Sequence, residues 1–261
     1  MGRIYTLVNQ KGGVGKTTTA INLGAYLGYY GQRVLLIDLD PQANATSCLG
    51  IDKGTVKNGT YEVLSGSAPI AAHILHNPRL KISLLPSSPA LSGAEVELID
   101  RPNREYILRE VIATIADRYD YILIDCPPSL NLLTVNGLVA ARDGVIIPVQ
   151  CEYLALEGLG QLIQTLHKVR SKLFPELKVR AVVLTMYDGR TKLAADVVSE
   201  VKKHFPLEVL KTLIPRSIRI AEAPSYGVPI STYAPESSGA RAYNDLAGEI
   251  LSSDGINLSK S

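Results

Sequence analysis

Short, uninterrupted apolar runs are the feature that most restricts the fold of this 261-residue chain. The runs lack alternating polar positions, and glycine, proline or charged residues bound them. They therefore predict strands that are buried on both faces, as in a parallel sheet with helices on either side. The predicted strands span residues 4–8, 34–37, 82–85, 121–124, 145–149, 179–184 and 209–214.

Helical patterns lie between these strands and alternate with them along the chain. The predicted helices span residues 17–30, 106–119, 156–173, 193–204 and 240–251. The alternation predicts an α/β fold, with a doubly wound, mostly parallel sheet flanked by helices and joined by right-handed crossovers.

No linker or internal repeat interrupts the pattern, so we expect a single domain over residues 1–261. Residues 52–89 are rich in Gly, Ser, Asn and Pro, and they predict a loop-rich excursion around the strand at 82–85. The polar residues 252–261 are expected to form a frayed tail.

Several protein classes are disfavoured by what the sequence lacks. The first residues do not resemble a signal peptide, and no apolar stretch reaches the ~18 residues of a membrane-spanning helix. We therefore expect a cytoplasmic protein with no membrane partner. Cys48, Cys126 and Cys151 show no C-x-x-C spacing, so unpaired thiols in a reducing compartment are expected rather than a metal or redox site.

A glycine-rich segment, KGGVGKTT at residues 11–18, follows the first predicted strand and opens the first predicted helix. In this strand–loop–helix arrangement, glycines allow backbone N–H groups to surround phosphate oxygens at the amino end of a helix. Lys16 is expected to contact the β and γ phosphates, and the Thr17 hydroxyl to bind Mg²⁺ directly. The expected ATP contacts here are Lys11, Gly12, Gly13, Val14, Gly15, Lys16, Thr17 and Thr18.

Acidic residues follow two further predicted strands. Asp38 and Asp40 come after the strand at 34–37, and Asp125 comes after the strand at 121–124. In a doubly wound sheet, ligands bind beyond the carboxyl ends of the strands. Carboxylates there can hold a magnesium-bound water or position the water that attacks a phosphate. Each acid alone is also compatible with a helix cap, but their order after the phosphate loop favours the magnesium interpretation.

The phosphate loop departs from the usual pattern, because Gln10 stands where a glycine is expected and Lys11 adds a second lysine. In this respect the sequence resembles the deviant Walker A ATPases, whose loop reads K-G-G-x-G-K-T. The resemblance implies that Lys11 reaches the nucleotide of a partner subunit, so that two protomers sandwich two ATP molecules.

The same resemblance implies roles for the other residues of the site. Lys11, Lys16 and Asp40 are the expected catalytic residues, with Asp40 positioning or activating the attacking water. Asp38 and Asp125 are expected to support Mg²⁺ through water. Pro215, Arg216 and Ser217 are expected near the adenine, and Met186 is a further expected ATP contact.

The resemblance covers nearly the whole chain and is closest to the ParA/Soj chromosome- and plasmid-partitioning ATPases. It rests on residues 10–19, 38–46, 121–129, 148–153, 185–191 and 214–225, of which the last three segments favour partitioning. It implies an ATP-dependent homodimer that binds double-stranded DNA non-specifically on the nucleoid. It also implies a ParB-type centromere-binding protein that stimulates ATP hydrolysis.

Sister groups fit less well. The septum-site regulator of this superfamily carries a basic amphipathic helix for membranes, whereas residues 252–261 contain one lysine. Nitrogenase-type iron proteins need paired cluster cysteines, and Cys126 lies instead within an Asp-Cys-Pro-Pro turn. Only ten residues precede the phosphate loop, so no helix-turn-helix arm and no operator-specific binding are expected.

Basic charge is concentrated in residues 178–219, which hold nine Lys or Arg against four Asp or Glu. The other residues hold 18 basic and 21 acidic side chains, so a basic face for DNA phosphates is expected in this segment. The resemblance to the partitioning ATPases also implies non-specific DNA binding in this segment, with Arg190 and Arg219 as the best-matched DNA-contacting positions. Lys202, Lys203 and Arg216 are possible helpers, although the two lysines also suit a solvated helix face and Arg216 also suits the nucleotide.

Two other functions stay open at this point. One is a cargo-positioning ATPase of the same superfamily that does not act on DNA. The other is a metabolic P-loop ligase, which should have a substrate pocket and no basic face.

Overall fold

The computed structural model describes residues 2–153 and 155–256, and its strands form one sheet of eight in the order β3-β4-β2-β5-β1-β6-β7-β8. All neighbouring strands are parallel except the edge pair β3 and β4. The strands are β1 (Arg3–Leu7), β2 (Val34–Asp38), β3 (Leu75–Asn77), β4 (Ile82–Leu85), β5 (Tyr121–Asp125), β6 (Gly144–Gln150), β7 (Val179–Tyr187) and β8 (Val209–Pro215). The predicted doubly wound, mostly parallel sheet is confirmed.

Helices cover both faces of this sheet. They are α1 (Lys16–Tyr29), α2 (Asn44–Cys48), α3 (Thr60–Ser65), α4 (Leu91–Glu97), α5 (Ile107–Ala113), α6 (Leu132–Ala140), α7 (Ala155–Lys172), α8 (Lys192–His204), α9 (Ile218–Glu222), α10 (Ile230–Tyr233) and α11 (Ser238–Ser253). None of those described offers the length and apolar surface that a membrane-spanning segment requires.

Alternate side chains of the central strands pack on opposite faces, as the two-residue period of a strand requires. On β1, Tyr5 joins the core beneath α1 and α11, whereas Ile4 joins the core beneath α5 and α6. Strands β2 and β5 are buried at every position. Burial on both faces explains why these strands appear in the sequence as uninterrupted apolar runs.

Two segments differ from their sequence-based predictions. The predicted helix 106–119 is divided, because Ile115 leaves the helical conformation at φ −130° and only a 3-10 turn, Ala116–Arg118, follows α5. The segment expected to be loop-rich also contains α3 and the edge strand β3. Helix α3 begins where the Glu62 carboxylate accepts a hydrogen bond from the Gly59 N–H at 2.6 Å, and six residues are too few for a clear helical period.

The chain is anchored beyond residue 252, so the expected frayed tail does not begin there. Ser252 and Ser253 belong to α11, and the Asp254 carboxylate that follows is buried. It accepts hydrogen bonds from the Tyr5 hydroxyl at 2.7 Å, the Tyr121 hydroxyl at 2.9 Å and Arg180 Nη2 at 2.7 Å. A buried carboxylate needs such partners. Residues 257–261 of the expected tail lie outside the described residues.

Candidate functional site

The loop between β1 and α1 has the conformation of a phosphate cradle. Gly13 and Gly15 adopt φ values of 74° and 87°, which L residues with a side chain rarely adopt. Gly15 lies against Thr185, whose hydroxyl donates to the Val14 carbonyl at 2.8 Å. A Cβ at Gly12 or Gly13 would meet no described atom within 4 Å. One side of the loop backbone therefore faces open space, where phosphate oxygens can approach.

Lys16 begins α1 and is buried, with 7% of its surface exposed. Its Nζ lies 3.5 Å from the Lys11 carbonyl oxygen. Burial lowers the pKa of Lys16, and the nearby carboxylates of Asp125 and Asp40 oppose that shift. A partly desolvated cation directed into the loop is suited to bind the β and γ phosphates.

Asp38 and Asp125 lie side by side, because they are register partners at the ends of β2 and β5. Both are fully buried, and burial raises the pKa of each carboxyl. The neighbouring charge of Asp38 raises the pKa of Asp125 further. Two adjacent buried carboxylates favour a site that a cation neutralises.

The oxygens around Asp125 fit a magnesium ion. The Thr17 hydroxyl donates to Asp125 Oδ2 at 2.7 Å, and no donor of the described residues reaches the buried Oδ1. Hydroxyl and carboxylate oxygens are the ligands that Mg²⁺ prefers. Asp38 is more fully engaged, since Oδ1 accepts the Asp40 N–H at 3.2 Å and Oδ2 accepts two hydrogen bonds from Thr46.

Asp40 lies two residues beyond β2 and is buried, with 5% of its surface exposed. Its Oδ1 accepts the Gln42 N–H at 2.9 Å. Asp40 lies beside the two other acids, because its N–H donates to Asp38 Oδ1 at 3.2 Å and Asp38 is the register partner of Asp125. The structure therefore brings together the lysine, the threonine and all three acids that the sequence predicted.

Lys11 is held by its backbone, while its ammonium group forms no ion pair with the described residues. The Lys11 N–H donates to Asn9 Oδ1 at 3.0 Å, and Asn9 Nδ2 donates to the Pro148 carbonyl at 2.8 Å. The side chain passes near Gly158 of α7. The backbone that carries the cation is thus held in place by hydrogen bonds to Asn9.

The residues expected near the adenine lie at the same edge of the sheet, where the parallel strands end; we call this edge the carboxyl edge. Met186 lies in β7 with φ 52° and directly follows Thr185, which contacts the phosphate loop. Pro215 ends β8, and the Arg216 N–H donates to the Tyr187 carbonyl at 3.1 Å. Ser217 caps α9 without a side-chain hydrogen bond.

The residues expected to contact DNA do not form one surface. Arg190 and Arg219 follow β7 and β8 at the carboxyl edge. Lys202 and Lys203 lie in the last turn of α8, roughly 17 Å along the helix axis from its first residue. The two lysines therefore lie towards the opposite edge of the sheet, a separation that counting charges along the sequence does not detect.

Each arginine in the expected DNA set has an acidic neighbour that sequence reasoning missed. Arg190 donates from Nε and Nη2 to Asp188 at 2.8 and 2.7 Å, and this pairing holds the pKa of Asp188 at about 2. The other pairs are Arg219 with Glu222 at 3.0 Å and Arg216 with Glu152 at 2.6 Å. Asp188 and Glu222 lie within three residues of their arginines, whereas Glu152 comes from the loop after β6, 64 positions from Arg216.

The three cysteines are free thiols in the structure, with Cys126 and Cys151 buried. Burial raises the pKa of each thiol, so none is activated as a nucleophile.

Comparison with known proteins agrees with this geometry. The AAA domain family model matches residues 2–179. The chain is 51% identical to the sporulation initiation inhibitor protein Soj of Bacillus subtilis, covering 96% of this chain and 98% of that protein. It is 50% identical to the chromosome-partitioning ATPase Soj of Treponema pallidum, covering 98% and 99%.

A solved structure adds nucleotide to the comparison. It is described as cobyrinic acid a,c-diamide synthase from Mycobacterium smegmatis with a bound ATP analogue and magnesium. The two chains superpose with a TM-score of 0.86 at 40% identity, over 96% of this chain and 94% of that one. Together with the phosphate loop, its second lysine and the three acids, these similarities show that the chain belongs to the Soj/ParA family of chromosome-partitioning P-loop ATPases.

Proposed function

We propose that this chain is a cytoplasmic, single-domain DNA-segregation ATPase. MgATP joins two protomers into a sandwich dimer, and the dimer binds double-stranded DNA of the nucleoid without sequence preference. Hydrolysis, stimulated by a ParB-type centromere-binding protein, releases the dimer. The observation that carries this proposal is that the phosphate loop and the exposed Arg190 and Arg219 all lie at the carboxyl edge of one sheet.

The chemistry follows from the residues around the loop. Lys16 binds the β and γ phosphates, the Thr17 hydroxyl would hold the metal directly, and Asp125, which accepts a hydrogen bond from that hydroxyl, would support the metal through water. When bound, Mg²⁺ neutralises charge that develops on the phosphate oxygens. Asp38 supports the metal site through water, and Asp40 orients the attacking water. Pro215, Arg216 and Ser217, with Met186, line the base end of the site.

Dimerisation is expected to depend on Lys11, because its cation forms no ion pair with the described residues of its own protomer. We expect Lys11→Ala to remain folded and to bind ATP as a monomer, but to lose ATP-dependent dimerisation. Sedimentation with and without ATP measures this. Lys178→Ala, which removes an exposed loop cation just before β7 and so at the opposite edge of the sheet, is the matched control and should dimerise. An ATP-dependent dimer of Lys11→Ala would disprove the role in the partner's site.

DNA binding is expected to rest on phosphate contacts alone. Arg190 and Arg219 are exposed by 89% and 61%, and their ion pairs are at the surface. Ion pairs that water surrounds in this way contribute little to stability, so DNA phosphates can replace the carboxylates. A dimer presents each arginine twice, and the summed contacts explain why ATP would switch DNA affinity.

We therefore expect Arg190→Ala and Arg219→Ala each to weaken ATP-dependent DNA binding equally for all sequences. The slope of log affinity against log salt should fall by about 1 for each DNA phosphate that a protomer no longer neutralises. Binding of several unrelated duplexes over a salt series measures both effects. Sedimentation should show that both variants still dimerise with ATP.

The matched control is the double variant Lys202→Ala/Lys203→Ala. It removes two positive charges, as the double variant Arg190→Ala/Arg219→Ala does, but at the far end of α8. If it loses as much binding as the arginine variants, the DNA surface extends to that end. If the arginine double variant binds DNA like the unaltered protein, the DNA proposal fails and cargo positioning becomes the better function.

The ligase alternative is supported by the name of the 40% identical mycobacterial structure. Against it, the relatives at about 50% identity include a chromosome-partitioning ATPase matched over almost its whole length. The exposed arginines Arg190 and Arg219 at the carboxyl edge also suit a polyanion. ATP-dependent retention of DNA, absent with ADP, separates partitioning from both alternatives.

A further inference from the structure

Four buried residues form a closed ring of hydrogen bonds beside the phosphate loop. The Asp40 N–H donates to Asp38 Oδ1 at 3.2 Å, and the Thr46 hydroxyl and N–H donate to Asp38 Oδ2 at 2.7 and 2.8 Å. The Ser87 N–H donates to the Thr46 hydroxyl at 2.9 Å, and the Ser87 hydroxyl donates to the Asp40 carbonyl at 2.8 Å. We call these four residues the aspartate ring.

Every bond in the aspartate ring has a fixed direction. The Thr46 hydroxyl gives its only proton to Asp38, so it is free to accept from Ser87. The Ser87 hydroxyl must then donate to Asp40. Thr46 and Ser87 are 0% exposed, so water does not readily replace either hydroxyl.

The ring determines where the Asp40 carboxylate lies. Among the described residues, the side chain accepts one hydrogen bond, from the Gln42 N–H, so its position depends mainly on its own backbone. That backbone is held on the amino side by Asp38 and on the carbonyl side by Ser87, with the Ala43 N–H as a second donor to the carbonyl. Ser87 is in turn positioned by β4, the parallel neighbour of β2.

We propose that Ser87 and Thr46 are positioning residues for ATP hydrolysis, which act by holding Asp40 at the distance that orients the attacking water. The inference rests on the proposed catalytic role of Asp40. Neither residue lies in the phosphate loop or supplies an oxygen to the magnesium site, so both act on the rate of hydrolysis and not on nucleotide binding.

We expect Ser87→Ala to lower the single-turnover rate of ATP hydrolysis by about tenfold or more, since small misplacements of a reacting group are costly. The dissociation constant for ATP, measured by direct titration, should change by less than about twofold, because the phosphate contacts of Lys16 remain. The matched control is Ser88→Ala. Ser88 is the adjacent buried serine, its hydroxyl has no hydrogen bond within the described chain, and its loss should leave the rate unchanged.

Thr46 supplies a second test that separates positioning from loss of folding. Thr46→Ser keeps the hydroxyl and should retain the rate, whereas Thr46→Val keeps the shape and should lose it by a similar factor. In the Asp40→Ala background, Ser87→Ala should cause no further loss of rate, because its effect passes through Asp40.

The outcomes distinguish this inference from the function on which it rests. If Asp40→Ala hydrolyses ATP normally, the catalytic assignment itself is wrong. If Asp40→Ala is inactive but Ser87→Ala and Thr46→Val keep the rate, the positioning role is wrong. A parallel loss of ATP affinity and rate in Ser87→Ala would also overturn it, because the ring would then serve nucleotide binding.

Discussion

Lys16→Ala is expected to abolish productive ATP binding. Lys16 is a buried cation at the start of α1, and the nearby carboxylates of Asp40 and Asp125 favour its charged form. Without this ammonium group, the ATP phosphates would lie near the carboxylates of Asp40 and Asp125 with no lysine charge to offset the repulsion. Losing one partner of a buried charge pair costs roughly 2–5 kcal/mol, so ATP affinity should fall by roughly 30-fold to 3000-fold. Direct titration with ATP and Mg²⁺ measures this loss.

The control for this experiment is Lys11→Ala, which removes the same charge from the same loop. Its lysine is expected to serve the partner's nucleotide, so the monomer should keep its ATP affinity. The thermal unfolding of both variants should resemble that of the unaltered protein without nucleotide. Near-normal ATP affinity of Lys16→Ala would contradict the assignment of the phosphate site.

The sequence predicted the parts of the site that depend on local order in the chain. The phosphate loop is recognisable because the strand, the glycines and Lys16 are contiguous, and their spacing alone determines the cradle. Asp38 and Asp125 were predictable because each directly follows an apolar run. In a parallel sheet such positions meet at one edge, and the structure makes them register partners.

The supporting contacts depend on residues that are distant in sequence, and no local pattern reveals them. Ser87 lies 47 positions from Asp40 and 41 from Thr46, in a segment whose composition indicates only loops. Its role follows from the pairing of β4 with β2. The apolar runs predict where the strands are in the sequence, but they do not predict the order of the strands in the sheet. A serine in such a segment is also common for ordinary turns.

The basic segment illustrates a different limit. A count of charges over residues 178–219 treats Arg190 and Lys203 alike, but α8 places them at opposite ends. The count also overlooks Glu222, which lies just outside the segment and pairs with Arg219. Local net charge therefore indicated a basic region but not the surface that would meet a DNA backbone.

Asp40→Ala is expected to bind ATP and dimerise but to lose hydrolysis. The metal and phosphate contacts of Thr17, Asp125 and Lys16 remain, while the group that orients the attacking water is gone. Loss of a positioned acid–base group typically lowers the rate by about 10²–10⁴-fold. Single-turnover hydrolysis and sedimentation on the same sample should show a slow reaction and a long-lived ATP-bound dimer. That dimer should also remain on DNA after the unaltered protein has dissociated.

Asp40→Asn is the sharper form of the experiment, because it keeps the side-chain shape and an oxygen that can accept the Gln42 N–H. If both variants stall, the carboxylate charge is required, and loss of packing is not the cause. If Asp40→Asn hydrolyses ATP normally while Asp40→Ala does not, the residue acts by shape alone. Normal hydrolysis by both would move the catalytic role to Asp38 or Asp125. Of these, Asp125 is the stronger candidate, because its Oδ1 has no donor among the described residues, whereas both oxygens of Asp38 are already engaged.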